Sequence, residues 1–178
     1  MAILEILHYP DNRLRQKGED VEIFDESLRI IVKDMLETMY QEKGIGLAAI
    51  QVNIIKNIIV IDVSEKRNEP LILINPVITK KENKIKFEEG CLSVPGFYEK
   101  VDRYELIEYE AQDKEGQKYS GKAEGLLAVC IQHELDHLNG KLFVDYLSLT
   151  KRENIEKKIQ KMEAQGIKAE RKNIPYSI

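Results

Sequence analysis

An α+β fold, with a mostly antiparallel sheet packed around a central helix, is predicted by the order of three kinds of segment. An amphipathic run comes first, β-branched runs and a hairpin signal fill the middle, and a mostly apolar run with helical spacing follows. A charge-dense run after these reads as a C-terminal surface helix.

Between Asp25 and Tyr40, Leu28, Ile31, Val32, Met35, Leu36 and Met39 recur three and four apart among acids and bases. That is the pattern of a helix with one face on a core, and Met35 and Met39 are spaced for packing. In "EKGIG" the glycines Gly44 and Gly46 break the period and open an irregular segment, "GIGLAAIQ". The runs "NIIVIDV" and "LILINPVI", bounded by "SEKRNEP" and Pro76, read as buried strands, with a further strand around "KIKFEE". "YELIEYEAQ" and "GQKYSGKA" flank "DKEG", which predicts a hairpin turning at Asp113 to Gly116. A second helix is expected from Glu124 to Asn139, stopped by "NG". At about 100° per residue, Leu126, Val129, Cys130, His133 and His137 share one face. Leu127, Ile131, Leu135 and Leu138 share the opposite one, leaving Gln132, Asp136 and Asn139 as a narrow polar stripe. From Thr150 to Lys172, Ile155, Ile159 and Met162 provide the inner side of the surface helix, and "NIPYSI" is a loose tail. The expected organisation is one domain, with its catalytic part at 1–147 and the charged helix and tail at 148–178.

Composition narrows the function classes. With 178 residues, 43% hydrophobic and 33% charged, the chain suits a single domain with a proper core. A formal charge of -4, with basic residues scattered among acids, offers no footprint for nucleic acid. The opening "MAILEILHYPDNRL" has Glu5 and no basic region before a long apolar run, so a secretory signal is not expected. No stretch approaches the roughly 20 apolar residues that span a bilayer, so no membrane partner is expected. Two cysteines, Cys91 and Cys130, argue for a reducing cytoplasm over a disulfide framework and leave both sulfurs for other chemistry.

The stretch "CIQHELDHLNG" holds two of the three histidines. His133 and His137 project about 40° apart on a helix, close enough for both rings to bind one metal ion. Glu134 falls on the neighbouring side, where its carboxylate can reach an activated water without binding the ion, which is the logic of H-E-x-x-H. The alternative is two buried histidines satisfied by hydrogen bonds, yet a Glu between two His in an apolar helix is costly without a charged partner. A third ligand is needed. "HLNGKLF" keeps Gly140 but puts Phe143 where one large zinc-protease class has its final histidine, which excludes that class. Glu153 and Glu156 lie in a segment whose charges look solvated, and Cys91 sits in "EEGCLSVPG" before a short apolar turn, where a thiolate can face the helix. A small buried hydrophobe is the competing reading of that cysteine. His8 lies outside every motif and reads as structural, and Asp136 on the polar stripe is either a salt-bridge partner, with Arg103 as the candidate, or simply in contact with solvent.

Taken together, "GIGLAAIQ", "EGCLS" and "HELDH" resemble the three signature motifs of the peptide deformylases, in that family's order and at its usual spacing. The resemblance runs from "HYPDNRLR" through "LFVDYLS", and the charged tail is similar to bacterial members with a helical C-terminal extension. One departure is Tyr98, where many bacterial relatives carry arginine, so recognition on the peptide side is expected to differ there.

The resemblance implies a cytoplasmic hydrolase of protein biosynthesis that removes the formyl group from the N-formylmethionine of nascent peptides and releases formate. It implies that Cys91, His133 and His137 hold one divalent metal, iron(II) being the usual ion and zinc, nickel and cobalt fitting the same ligands. Glu134 then serves as general base and acid, while the Gln51 side-chain amide and the Leu92 backbone N–H stabilise the developing oxyanion. Gly44, Ile45, Gly46, Phe87, Glu89, Leu126, Val129 and Cys130 are the implied substrate-binding residues. For Leu126, Val129 and Cys130 the shared histidine face agrees independently. Ribosome association through the C-terminal helix is a further implication. A peptidase using the same helix and a non-catalytic metal-binding or ribosome-associated module are the alternatives, and Glu134 with Gln51 speaks against the second.

Overall fold

The computed structural model describes residues 2–168. Five antiparallel strands follow one another in chain order across a single sheet: β1 (Gly46–Ala48), β2 (Ile58–Ile61), β3 (Leu71–Cys91), β4 (Val94–Gln112) and β5 (Lys118–Glu124). Among the described residues three α-helices accompany them: α1 (Glu26–Gln41), α2 (Gly125–Leu138) and α3 (Leu149–Ala164). The predicted α+β class is the observed one.

Helix α1 starts where Asp25 accepts a hydrogen bond from the Leu28 N–H, an N-cap that satisfies one orphan donor of the first turn. Its apolar stripe, with Val32, Met35 and Met39 buried, packs on Ile58 and Val60 of β2. The other two residues of β2, Ile59 and Ile61, face α2 through Val129, Cys130 and Ile131. Strand β2 is thus covered on both faces, which is why "IIVI" shows no polar alternation. A third cluster joins α3, through Ile155 and Ile159, to Leu7, Tyr9, Val94, Phe143 and Cys91. Helix α3 therefore buttresses the turn that presents Cys91.

The structure departs from expectation in two elements. "LILINPVI" and "KIKFEE" belong to one strand of 21 residues, not two. Pro76 is absorbed by a register shift between Ile74 and Val77 beside Asn75, which has a positive φ of 51°. "GIGLAAIQ" is partly regular, with Gly46–Ala48 pairing to β2 before a 3-10 turn at Ala49–Val52. The expected hairpin turn at Asp113 to Gly116 is present, with Asp113 accepting from the Glu115 and Gln117 N–H groups. Of the C-terminal helix expected to Lys172, the part beyond Ala164 is not helical as far as Lys168, and the tail lies outside the described residues. His8 is a surface residue, its Nδ1 3.6 Å from Glu163. Among the described residues no helix is long and apolar enough to cross a membrane.

Candidate metal centre

Helix α2 crosses the sheet with one face turned to the tip of the β3–β4 hairpin. That hairpin turns through only Leu92 and Ser93, with Cys91 paired opposite Val94, so the thiol is carried on a rigid corner. Cys91 Sγ lies 3.3 Å from His137 Nε2, and His137 Nε2 lies 3.2 Å from His133 Nε2. The three donor atoms fall within 4.8 Å of one another, and all three residues are buried. Glu153 is exposed and Glu156 accepts from the Tyr9 hydroxyl, so neither acid approaches the histidines. Of the third-ligand candidates, Cys91 alone joins them.

The electrostatics favour a cation at this point. Burial would lower His133, but the Cys91 sulfur and the Glu89 carboxylate more than offset it and hold its pKa well above the ordinary value. Burial, with the positive His133, Arg103 and Arg15 adding to it, holds His137 well below, so its ring stays neutral. A neutral imidazole nitrogen beside a second ring nitrogen and a sulfur is a donor set for a borderline divalent ion. Glu134 is fully buried, neither of its oxygens has a hydrogen-bond partner among the described residues, and burial pushes its pKa up to about 7. An unpartnered buried carboxyl next to such a cluster is the feature that a purely structural site would not contain.

Behind His133 lies a chain of charges. His133 Nδ1 is 3.1 Å from Glu89 Oε1, and Glu89 accepts from Arg103 Nε at 3.0 and 3.1 Å. Arg103 Nη1 donates to Asp136 at 2.7 Å, which also accepts from the Tyr146 hydroxyl at 2.9 Å. The predicted Asp136–Arg103 salt bridge is present. Burial would raise the Glu89 pKa, but the hydrogen bond from His133 and the positive charges of His133 and Arg103 hold it below the usual carboxylate range. An ionised Glu89 accepts from His133 Nδ1 and so orients the ring with Nε2 toward the cluster. The side chain of Glu89, one of the expected substrate-binding residues, pairs with His133 and Arg103. Gln132, expected on a polar stripe, is buried because its amide pairs with both main-chain groups of Tyr104.

Gln51 places its Nε2 3.7 Å from Cys91 Sγ and 3.1 Å from Ser93 Oγ, while its Oε1 accepts from the Ala48 N–H. Ser93 was not singled out from the sequence; its N–H also points at Cys91 Sγ, at 3.3 Å. Gly46 runs so close to α2 that a Cβ there would sit 2.5 Å from Glu134 Oε1. Ile45, Phe87, Leu126, Val129 and Cys130, the predicted pocket residues, fall in one hydrophobic cluster. Tyr98 lays its ring against Gly90, where a Cβ would meet it at 2.5 Å.

The family model of the polypeptide deformylases matches residues 3–153. The chain belongs to the polypeptide deformylase family. It is 59% identical over 161 residues to a peptide deformylase of Pseudoalteromonas translucida, covering 90% of this chain and 96% of that one. A peptide deformylase of Pseudomonas aeruginosa is 55% identical over 166 residues, covering 93% and 99%. Among solved structures, a peptide deformylase from Legionella pneumophila superposes with a TM-score of 0.89 at 45% identity, covering 93% of this chain and 98% of that one. The deformylase from Ehrlichia chaffeensis in complex with actinonin gives 0.88 at 43% identity, covering 92% and 99%. Family membership makes this chain a metal-dependent hydrolase that removes the N-terminal formyl group from nascent peptides.

Proposed function

We propose that Cys91, His133 and His137 hold the divalent ion, that this ion is iron(II), with zinc, nickel and cobalt able to replace it, and that Glu134, Gln51 and Leu92 carry the reaction. The observation behind this reading is the convergence of one sulfur and two ring nitrogens within 4.8 Å beside an unpartnered, buried carboxyl. When bound, the ion supplies Lewis acidity that makes water nucleophilic near neutral pH. Glu134 accepts the proton that the attacking water loses, and its raised pKa suits it to return that proton to the departing amine. The water oxygen bonds to the formyl carbon, the C–N bond breaks, and formate and a free amino terminus remain. Gln51 Nε2 and the Leu92 N–H donate to the formyl oxygen as negative charge grows on it.

The same reading places the peptide along β1. Gly46 pairs with Ile61 while the Asp62 N–H donates to Ile45 O, so Ile45 and Leu47 turn their main-chain groups toward β2. Gly46 turns its own to the open side of this edge strand, where an extended peptide can add as a further strand. The methionine side chain then enters the cluster of Ile45, Phe87, Leu126, Val129 and Cys130. On this reading residues 1–147 are the catalytic part and the charged helix and tail of 148–178 belong to the same domain, which the burial of Ile155 and Ile159 of α3 in one cluster with Cys91 supports.

Cys91→Ala tests the ligand set. Elemental analysis of anaerobically purified protein is expected to show bound metal sharply reduced, with formate release lost in parallel. Retention of both metal and activity would remove Cys91 from the site.

We further infer that the enzyme works in the cytoplasm, where free thiols persist and new chains emerge, and that α3 meets the ribosome. Lys157, Lys158 and Lys161 are exposed on that helix and can face a phosphate-rich surface. Replacing all three by Ala is expected to abolish co-sedimentation with ribosomes at low salt while formate release from free peptide persists. Unchanged co-sedimentation would exclude this face.

A further inference from the structure

The loop between β2 and β3 grips the start of the peptide-bearing edge from outside. Its hub is Asp62, 1% exposed, which accepts from the Ser64 N–H at 2.9 Å, the Ser64 hydroxyl at 2.6 Å and the Glu69 N–H at 3.2 Å. Asp62 also accepts from the hydroxyl of Tyr40 at 2.7 Å, which bolts the loop to the last turn of α1. From this frame Arg67, with φ 52°, reaches back to the chain leaving that helix. Its Nη1 donates to Gly44 O at 2.7 Å and its Nη2 to Lys43 O at 3.2 Å.

We propose that Arg67 is a positioning residue for the peptide substrate. By holding two successive carbonyls it sets the depth and pitch at which Gly44–Ala48 passes the metal centre. The inference rests on the reading that the peptide lies along β1.

On the inner side this segment has no play. A Cβ at Gly44 would lie 2.7 Å from the Leu92 side chain, and one at Gly46 would lie 2.5 Å from Glu134 Oε1. Repulsion fixes how far inward the backbone can move; attraction must fix how far outward. Downstream, the ladder to β2 and the Asp62 N–H to Ile45 O bond provide that attraction. Upstream of Ile45 the ladder has ended, and the guanidinium acts there together with the Gly44 N–H to Met39 O bond. A single donor would let the Gly44 peptide plane pivot, whereas a planar fork on two neighbouring oxygens resists rotation as well as displacement. Gly46, two residues on, carries the main-chain groups that face the open edge. A small tilt at Gly44 therefore misaligns the whole strand of peptide contacts while leaving the ligands on α2 and the hairpin untouched.

The experiment compares formyl-Met-Ala-Ser, which has residues to lie along the edge, with formylmethioninamide, which has none. For metal-loaded Arg67→Met, KM for the tripeptide is expected to rise about tenfold with kcat within about twofold, the signature of lost uniform binding. KM for the amide and the bound metal stay at wild-type values. Arg67→Lys, which keeps the charge but has a single donor nitrogen in place of the planar fork, recovers part of the tripeptide KM. Should Arg67→Met melt early or lose metal, the same split is read on Arg67→Lys, where a threefold rise confined to the tripeptide is expected. A tripeptide KM unchanged in both variants, or an equal rise for both substrates, would overturn the proposal and leave Arg67 as a structural brace on the chain leaving α1. If the wild-type enzyme itself gains nothing in KM from the added residues, the docking of peptide on β1 is wrong and the role of Arg67 falls with it. That failure is seen without any variant.

Discussion

Gln51→Leu is expected to lower kcat for formyl-Met-Ala peptides by about a hundredfold or more, with KM and metal content close to wild type. Removing one placed oxyanion donor typically costs roughly 3 kcal/mol of transition-state stabilisation. The effect belongs to kcat because the charge that Gln51 Nε2 answers exists only as the formyl carbon becomes tetrahedral. Gln51 also has a structural role, since its Oε1 accepts from the buried Ala48 N–H, and leucine leaves that donor unmet. A stability loss of about 1 to 3 kcal/mol should therefore appear in thermal unfolding, separable from the kinetic loss. Turnover within about twofold of wild type corresponds to under half a kcal/mol and would remove Gln51 from the chemistry.

The legible parts of this fold are those in which burial is periodic. Helix α1 shows its stripe because one face meets β2 and the other meets water, and α2 is readable from the spacing of Val129, Cys130, His133 and His137. The long arm of β3 and β4 is hidden for the opposite reason. Around "TKKENK" nearly every residue is exposed, so no alternation distinguishes a solvated two-stranded ribbon from a loop. Strand β1 is buried at all three of its positions and is equally mute.

At the site, the histidines and Glu134 are legible because helical geometry ties neighbours in sequence to neighbours in space. Cys91 required a motif, since its approach to α2 depends on the hairpin corner and on packing against α3. The relay from Tyr146 through Asp136, Arg103 and Glu89 to His133 draws on separate elements of the chain. Which face Arg103 occupies follows from its pairing opposite Ile85, a register set by bulges that leave little trace in composition. Arg67 was equally silent, because its partners are main-chain carbonyls and these leave no mark in a sequence.

Glu134→Gln is expected to reduce formate release by about a hundredfold or more while keeping metal content and fold. Gln is nearly isosteric, and it relieves a buried ionisable group whose two oxygens have no hydrogen-bond partner among the described residues, so stability should hold or rise. Loss of activity without loss of metal assigns the proton-handling role, yet a peptidase built on the same helix would lose activity too. Substrate choice separates the two. Formyl is the smallest acyl group and needs only a short passage on its side of the scissile bond, whereas a peptidase would have to accommodate a whole residue there. The wild-type enzyme should cleave formyl-Met-Ala readily, act much more weakly on acetyl-Met-Ala, and leave internal peptide bonds intact. In the variant all hydrolysis should fall together. Internal cleavage abolished by Glu134→Gln, in an enzyme that never touches formyl substrates, would replace the deformylase with a peptidase.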